Sequence, residues 1–259
     1  MEAVRELYRE ERRLGILERV NANRRVSVAE LSQEFSVSEV TIRADLKALA
    51  ERGLLVRTHG GAVPAQDEYA DVTLALRRRR QVREKSRIGR AAALLVADGD
   101  AIFLDSSTTS LAIAHSLKQS RHVTVITNSL AVVQELLDAP EVSVIMTGGA
   151  LDRATSSLIG KQTLDSIRTL NIRRGFFGAH GITLAEGLTD VSADVAEVKR
   201  PLVARCGEVI AVLDATKWGR VGVASFASLQ DVTSVVTTEG VPETALAEAR
   251  SIGVDVLIV

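Results

Sequence analysis

From Met1 to about Ala62 the apolar residues recur at helical spacing among charges of both signs. From about Asp98 to Val259 they gather instead into short β-branched runs. The runs are Ala101–Asp105, Val123–Thr127, Val142–Thr147, Gly175–Gly178, Val209–Asp214, Ser234–Thr237 and Val254–Val259. Most are separated by roughly 10 to 20 residues, the rhythm of repeated β-α units on a mainly parallel sheet. Between the two textures Val63–Lys85 is polar and carries the cationic run Arg77–Arg80. It reads as a linker, helical in its second half, and the charge run reads as a solvated helix face. The pattern predicts a small helical domain over 1–62, a linker over 63–85 and a larger α/β domain over 86–259.

Within the first domain a helix is expected from about Val4 to Asn21. Ser27 stands where an N-cap is needed, and Glu30 three residues on completes a capping box, opening a short helix Val28–Phe35. Ser36-Val37-Ser38 makes a turn, Ser38 caps a third helix running to Arg52, and Gly53 occupies the position at which a left-handed residue stops a helix. Two short helices across a three-residue turn form a helix-turn-helix unit. On the third helix Ile42, Leu46 and Leu49 fall within about 60° of one another and make the buried stripe. The opposite side carries Val40, Arg43, Ala44 and Lys47, which suits major-groove reading: a cation to guanine, an apolar contact to a thymine methyl. Ser38 and Thr41 suit phosphates, which position without specifying. Leu54–Ala62, with its Gly60-Gly61 pair, folds back as a wing that lays Arg57, Thr58 and His59 along the flanking backbone. A helix with wet cations is commonly only a solvated helix; the full order of three helices, two caps, a terminal glycine and a diglycine wing is what points to double-stranded DNA.

In the second domain an apolar strand ends at Asp105 and five hydroxyl residues, Ser106, Ser107, Thr108, Thr109 and Ser110, lead into a helix. Small side chains at a strand-to-helix turn let N–H groups and hydroxyls converge on an anion at the positive helix end. Open α/β sheets hold ligands at this edge. Thr127-Asn128-Ser129, Thr147-Gly148-Gly149 and Gly178-Ala179-His180-Gly181 repeat the geometry at three further strand ends, so the four tips are expected to converge on one site. Lys217, three residues after Asp214 at another strand end, is placed to meet an anion. Glu197 and Lys199 sit two apart on a helix and do not share a face.

Composition narrows the class. The 259 residues are 46% hydrophobic and 25% charged but only 3% aromatic, an aliphatic core of the kind that parallel sheets bury. A net charge of −1 means that a DNA surface must be local. One cysteine, Cys206, excludes an intramolecular disulfide and fits a reducing cytosol, where it reads as a small buried residue. No leader-like run or membrane-length apolar stretch is present, so a cytoplasmic protein is expected. The four histidines, His59, His115, His122 and His180, show no metal-ligand spacing, and no cofactor is called for.

The stretch Val37–Leu46, followed by Gly53–Ala62, resembles the N-terminal signature of DeoR-type regulators. Gly175–Ile182, Gly187–Asp190, Glu197–Arg200, Leu213–Trp218 and the residues Lys85, Ile88 and Ala91 resemble the C-terminal sensor of the same family. The resemblance implies a winged helix-turn-helix plus a sensor related to ribose phosphate isomerase and glucosamine phosphate deaminase. It also implies repression of sugar-metabolism genes, relieved by a phosphorylated sugar or related metabolite. By similarity Ser106–Ser110 beside Asp105 would hold the phosphate, and Asn128, Gly148, Gly149, His180, Asp190, Glu197 and Lys217 would line the rest. Three departures stand out: Ala44 where members often carry a second Arg, Ser107 where many have Gly, and His180 in place of an Asp. Reading DNA as palindromic half-sites implies a homodimer or homotetramer. The competing class is a sugar phosphate isomerase or deaminase using Asp105, Asp190 or Glu197 as a base. His180, standing where such enzymes are acidic, argues against it, and no catalytic residue is expected.

Overall fold

The computed structural model describes residues 2–23, 26–51, 54–58, 60–64 and 74–259. The expected helix stop at Gly53, the wing residue His59 and the middle of the linker, 65–73, lie outside the described residues. Packing divides the chain into two units between Arg79 and Arg80.

The N-terminal unit holds helix α1 (Glu2–Asn23), strand β1 (Val26–Ser27), helices α2 (Val28–Glu34) and α3 (Glu39–Glu51), strands β2 (Leu55–Thr58) and β3 (Gly61–Pro64), and helix α4 (Leu74–Arg77). The capping box forms as read: Glu30 N–H donates to Ser27 Oγ (3.1 Å) and Ser27 N–H to Glu30 Oε2 (2.7 Å). Ser38 caps α3 by accepting from Thr41 N–H at 3.2 Å. Ile42, Leu46 and Leu49 bury against Ile16, Val20, Leu31 and Leu55. Asp45 is buried on the same stripe, and Arg12 Nε (2.6 Å) and Arg13 Nε (2.9 Å) on α1 hold its two oxygens. The wing is a three-stranded antiparallel sheet in the order β1-β3-β2. Gly61 is there for space: a Cβ on it would lie 1.8 Å from Val26 O. Of the cationic run, Arg78 and Arg79 are exposed, and Arg79 donates to the Glu51 carbonyl.

The C-terminal unit opens on α5 (Val82–Ala93), β4 (Ala101–Leu104), α6 (Thr108–Ser116), β5 (Val123–Thr127), α7 (Leu130–Leu136) and β6 (Val142–Met146). A hairpin, β7 (Ala150–Asp152) and β8 (Ser157–Ile159), then leads to α8 (Lys161–Ile167), β9 (Ile172–Phe177), β10 (Gly181–Thr183), β11 (Gly187–Asp190) and α9 (Ala193–Val203). The chain closes with β12 (Cys206–Val212), β13 (Ala224–Ala227), β14 (Ser234–Thr237), α10 (Glu243–Ser251) and β15 (Asp255–Ile258). Seven strands form one parallel sheet in the order β15-β14-β12-β9-β4-β5-β6. They are the seven apolar runs of the sequence. Alternate residues serve opposite faces: Ile102 and Leu104 join Ile88, Ile113 and Leu117 on one side, while Phe103 joins Phe177, Leu202 and Phe226 on the other. An antiparallel sheet, β10-β11-β13, which the sequence pattern did not reveal, packs in the second cluster through Ile182, Leu188 and Phe226. Cys206 lies half-buried, donating to Leu202 O at 3.2 Å, and burial pushes its thiol up to about 12. It stays protonated and unreactive at neutral pH.

Gly61→Ala is expected to destabilise the N-terminal unit by about 3 kcal/mol, the upper end for a single substitution, because backbone rather than a flexible side chain must yield. A thermal melt unchanged from wild type would show that β1 and β3 can separate at no cost.

Candidate functional site

On α3 the buried stripe fixes which face is outward. Val40 is 72% exposed, and Ser38, Arg43, Ala44 and Lys47 are exposed with it, Thr41 partly so. Arg43 pairs with Glu39 at 2.6 Å and Lys47 with Glu51 at 4.0 Å, both exposed i, i+4 contacts. Such pairs contribute little and exchange readily for a phosphate or a base edge. Arg57 is exposed on β2.

In the sensor-side unit the registers Leu104↔Thr127, Leu104↔Phe176, Phe177↔Ala211 and Thr127↔Met146 line up the strand ends. The tips Asp105–Ser110, Asn128, Gly148-Gly149, Gly178–Gly181 and Asp214–Lys217 therefore occupy one carboxyl edge of five neighbouring strands. The chain runs outward from β4 to β5 and β6, then returns to β9 on the other flank of β4. That reversal is a topological switch point, where the crevice of an open sheet lies.

At the switch Ser107 caps α6, accepting from Ser110 N–H at 3.0 Å. The amides of Thr108 and Thr109 are left at the open helix end, which has no intrahelical acceptor for them. Asp105 is bound to the same turn. Its Oδ1 accepts from Ser107 N–H (2.9 Å) and Ser110 Oγ (2.6 Å), and its Oδ2 from Gly178 N–H (2.9 Å). His180 is buried, its backbone N–H donating to Thr189 O at 2.8 Å. Lys217 is half-buried at the end of a short 3-10 turn, Ala215–Lys217, capped by Asp214.

The residue that organises this edge is Lys199. It is 5% exposed, and its Nζ lies 2.9 Å from Asp105 Oδ2, 2.8 Å from Asp190 Oδ2, 2.8 Å from Gly178 O and 4.8 Å from the Phe226 ring centroid. Burial by itself would lower its pKa, but the charges of Asp105 and Asp190 and their hydrogen bonds outweigh this and hold it above the ordinary lysine value. Glu197, read from the sequence as a site residue, is exposed on α9, away from this buried cluster. A signal for Lys199 was present: Val195, Ala196, Val198, Leu202 and Val203 form the buried stripe of α9, and Lys199 sits within it.

Comparison with known proteins now bears on both regions. Residues 12–68 match the DeoR-like helix-turn-helix domain, and residues 80–239 match the DeoR C terminal sensor domain. The chain belongs to the DeoR family. This DeoR-family transcriptional regulator is 35% identical to the HTH-type transcriptional regulator GolR of Listeria innocua over 96% of its own chain and 98% of GolR. It is 34% identical to the glycerol-3-phosphate regulon repressor of Escherichia coli over 88% of its chain and 90% of that one. It is 31% identical to a putative aga operon transcriptional repressor of Escherichia coli O157:H7 over 96% and 93%. Among solved structures, a ribose-5-phosphate isomerase in complex with phospho-erythronic acid superposes with a TM-score of 0.39 at 14% identity, covering 52% of each chain. The two matched domains bracket the division between Arg79 and Arg80. Among the described residues no helix is long and apolar enough to cross a membrane.

Lys199→Met leaves two buried carboxylates without their cation and is expected to cost about 3–5 kcal/mol. Glu197→Gln, on the exposed face, should stay within about 0.5 kcal/mol. Because the Lys199 pKa is raised on folding, its contribution is complete below the ordinary lysine pKa and is lost only as pH climbs through the elevated value. Urea titrations should therefore give the same wild-type to Lys199→Met difference at neutral and mildly alkaline pH; a difference that vanishes there contradicts the ion cluster.

Proposed function

We propose that this DeoR-family regulator represses genes of sugar metabolism, reading operator DNA as a dimer or higher homo-oligomer through α3 and the wing, and releasing it when a phosphorylated sugar or related metabolite binds at the strand tips. The observation that carries the effector half is the position of the α6 N-terminus at the switch point. The amides of Thr108 and Thr109, the hydroxyls of Ser106, Thr108 and Thr109 and the half-buried Lys217 two strands away together suit a phosphate. Relatives named as repressors of the glycerol-3-phosphate regulon and of the aga operon support the sign of regulation and the ligand class. The DNA half rests on the outward face of α3, whose cations are tied only by exchangeable surface pairs.

The geometry favours sensing over turnover. A general base must be free to take a proton, yet Asp105 and Asp190 both pair with Lys199 and Glu197 is exposed on α9. Release then requires that the effector bind the DNA-competent and incompetent arrangements with different affinity.

Two variants test the two halves by fluorescence anisotropy on a duplex selected from a random library. Arg43→Ala should weaken specific binding by about 1–3 kcal/mol, and unchanged affinity would remove α3 as the reader. Lys217→Ala should keep DNA affinity but blunt release by whichever sugar phosphate raises the wild-type melting temperature; normal release would remove Lys217 from the sensor.

A further inference from the structure

Two side-chain atoms at the β5 and β6 tips are buried and have no hydrogen-bond partner among the described residues: Asn128 Oδ1 and Thr147 Oγ1. The residues themselves are 4% and 3% exposed. They are neighbours, since each lies one position beyond the last register pair, Thr127↔Met146, on strands about 4.8 Å apart. Neither is free to turn elsewhere. Asn128 is clamped by β8, with Nδ2 donating to Leu158 O at 3.0 Å and Leu158 N–H donating to Asn128 O at 2.8 Å. That donor role fixes the amide so that the unmatched atom is the carbonyl oxygen. Thr147 is held by its N–H to Thr127 O at 3.0 Å, and the next residue by Thr163 Oγ1 to Gly148 O at 2.7 Å.

We infer that Asn128 and Thr147 form a hydroxyl-recognising subsite, distinct from the anion-binding end of α6; this rests on the effector reading above. The chemistry is selective. A carbonyl oxygen only accepts, so its partner must donate; a phosphate dianion has no proton to give and would face a lone pair. A hydroxyl fits both atoms at once, donating to Asn128 Oδ1 and accepting from Thr147 O–H. Asn128 is one strand from the Asp105–Ser110 loop and Thr147 two, so a ligand phosphorylated at one end and polyhydroxylated along its chain would span them. Leaving a buried polar atom unpaired is costly, and the ligand's hydroxyl would relieve that cost.

The test is a calorimetric titration of the full chain with inorganic phosphate, methyl phosphate, glycerol phosphate and the phosphates of a pentose and a hexose, using wild type, Thr147→Val and Thr147→Ser. Wild type is expected to bind at least one hydroxylated ester more tightly than methyl phosphate. Thr147→Val should lose about tenfold toward that ester while responding to inorganic phosphate as wild type does, and Thr147→Ser should keep most of the affinity. The melting temperature of ligand-free Thr147→Val should not fall, because the valine removes an unmatched hydroxyl. Undiminished affinity of Thr147→Val for the ester, or an equal loss toward every probe, overturns the subsite and leaves the effector reading standing. Failure of wild type to bind any phosphate overturns the effector reading and the subsite with it.

Discussion

One ammonium group holds the carboxyl edge of the sheet together. Lys199 reaches from α9 to the end of β4 through Asp105, to the end of β11 through Asp190 and to the tip of β9 through the Gly178 carbonyl. Two carboxylates against one cation leave a net negative charge in a region nearly closed to water. It is tolerated because N–H and O–H donors from Ser107, Ser110 and Gly178 take the remaining lone pairs of Asp105, and Val191 N–H takes one of Asp190. Such a cluster is weak support for stability against a well-packed apolar alternative but costly to break by removing one member. It also bears on the start of α6, because Asp105 takes the Ser107 N–H and the Ser110 hydroxyl of that helix's own first turn and so already answers part of its positive end.

The sheet sets where these groups meet. Each central strand is buried on both faces, and a one-residue slip would exchange the Ile102–Leu104 face for that of Phe103. Register is therefore stiffly specified, and strand ends in register put their tips side by side. The reversal between β4 and β9 then puts the Ser/Thr-rich loop at a topological switch point. Loop chemistry varies on a scaffold that aliphatic packing has already positioned.

What could be read from the sequence follows from the same physics. Central parallel strands buried on both faces are apolar runs, and the edge strands β6 and β15 stay largely aliphatic although partly exposed, so all seven are legible; the Ser27–Glu30 and Ser38 caps are local patterns that need no tertiary context. The strands of β7–β8 and of the β10-β11-β13 sheet span three or four residues each, too short for a period of two to declare itself. Charged residues are harder to place than short strands. Lys199 lies on the apolar stripe of α9 and Asp45 on that of α3, whereas Glu197 lies on the exposed face. Arg12 and Arg13 are distant from Asp45 in sequence and Asp105 from Lys199, and Asp190, nine residues before Lys199, lies on another element, so no spacing rule joins them. The usable signal was a charged residue where periodicity demands an apolar one.

That observation separates two kinds of polar residue. Asp45, Asp105, Asp190 and Lys199 break the apolar pattern of their elements or sit at buried ends, and each is held by charged or hydrogen-bonding partners within the described residues. Their capacity is spent on holding the chain in one arrangement. Arg43 and Lys47 keep only solvent-exposed i, i+4 contacts, and Asn128 Oδ1 and Thr147 Oγ1 are unmatched though buried. Residual hydrogen-bonding capacity of this sort does nothing for the isolated fold and, where buried, works against it. A fold that retains it on the outward face of one helix and at the buried tips of two strands carries capacity that its own packing does not use.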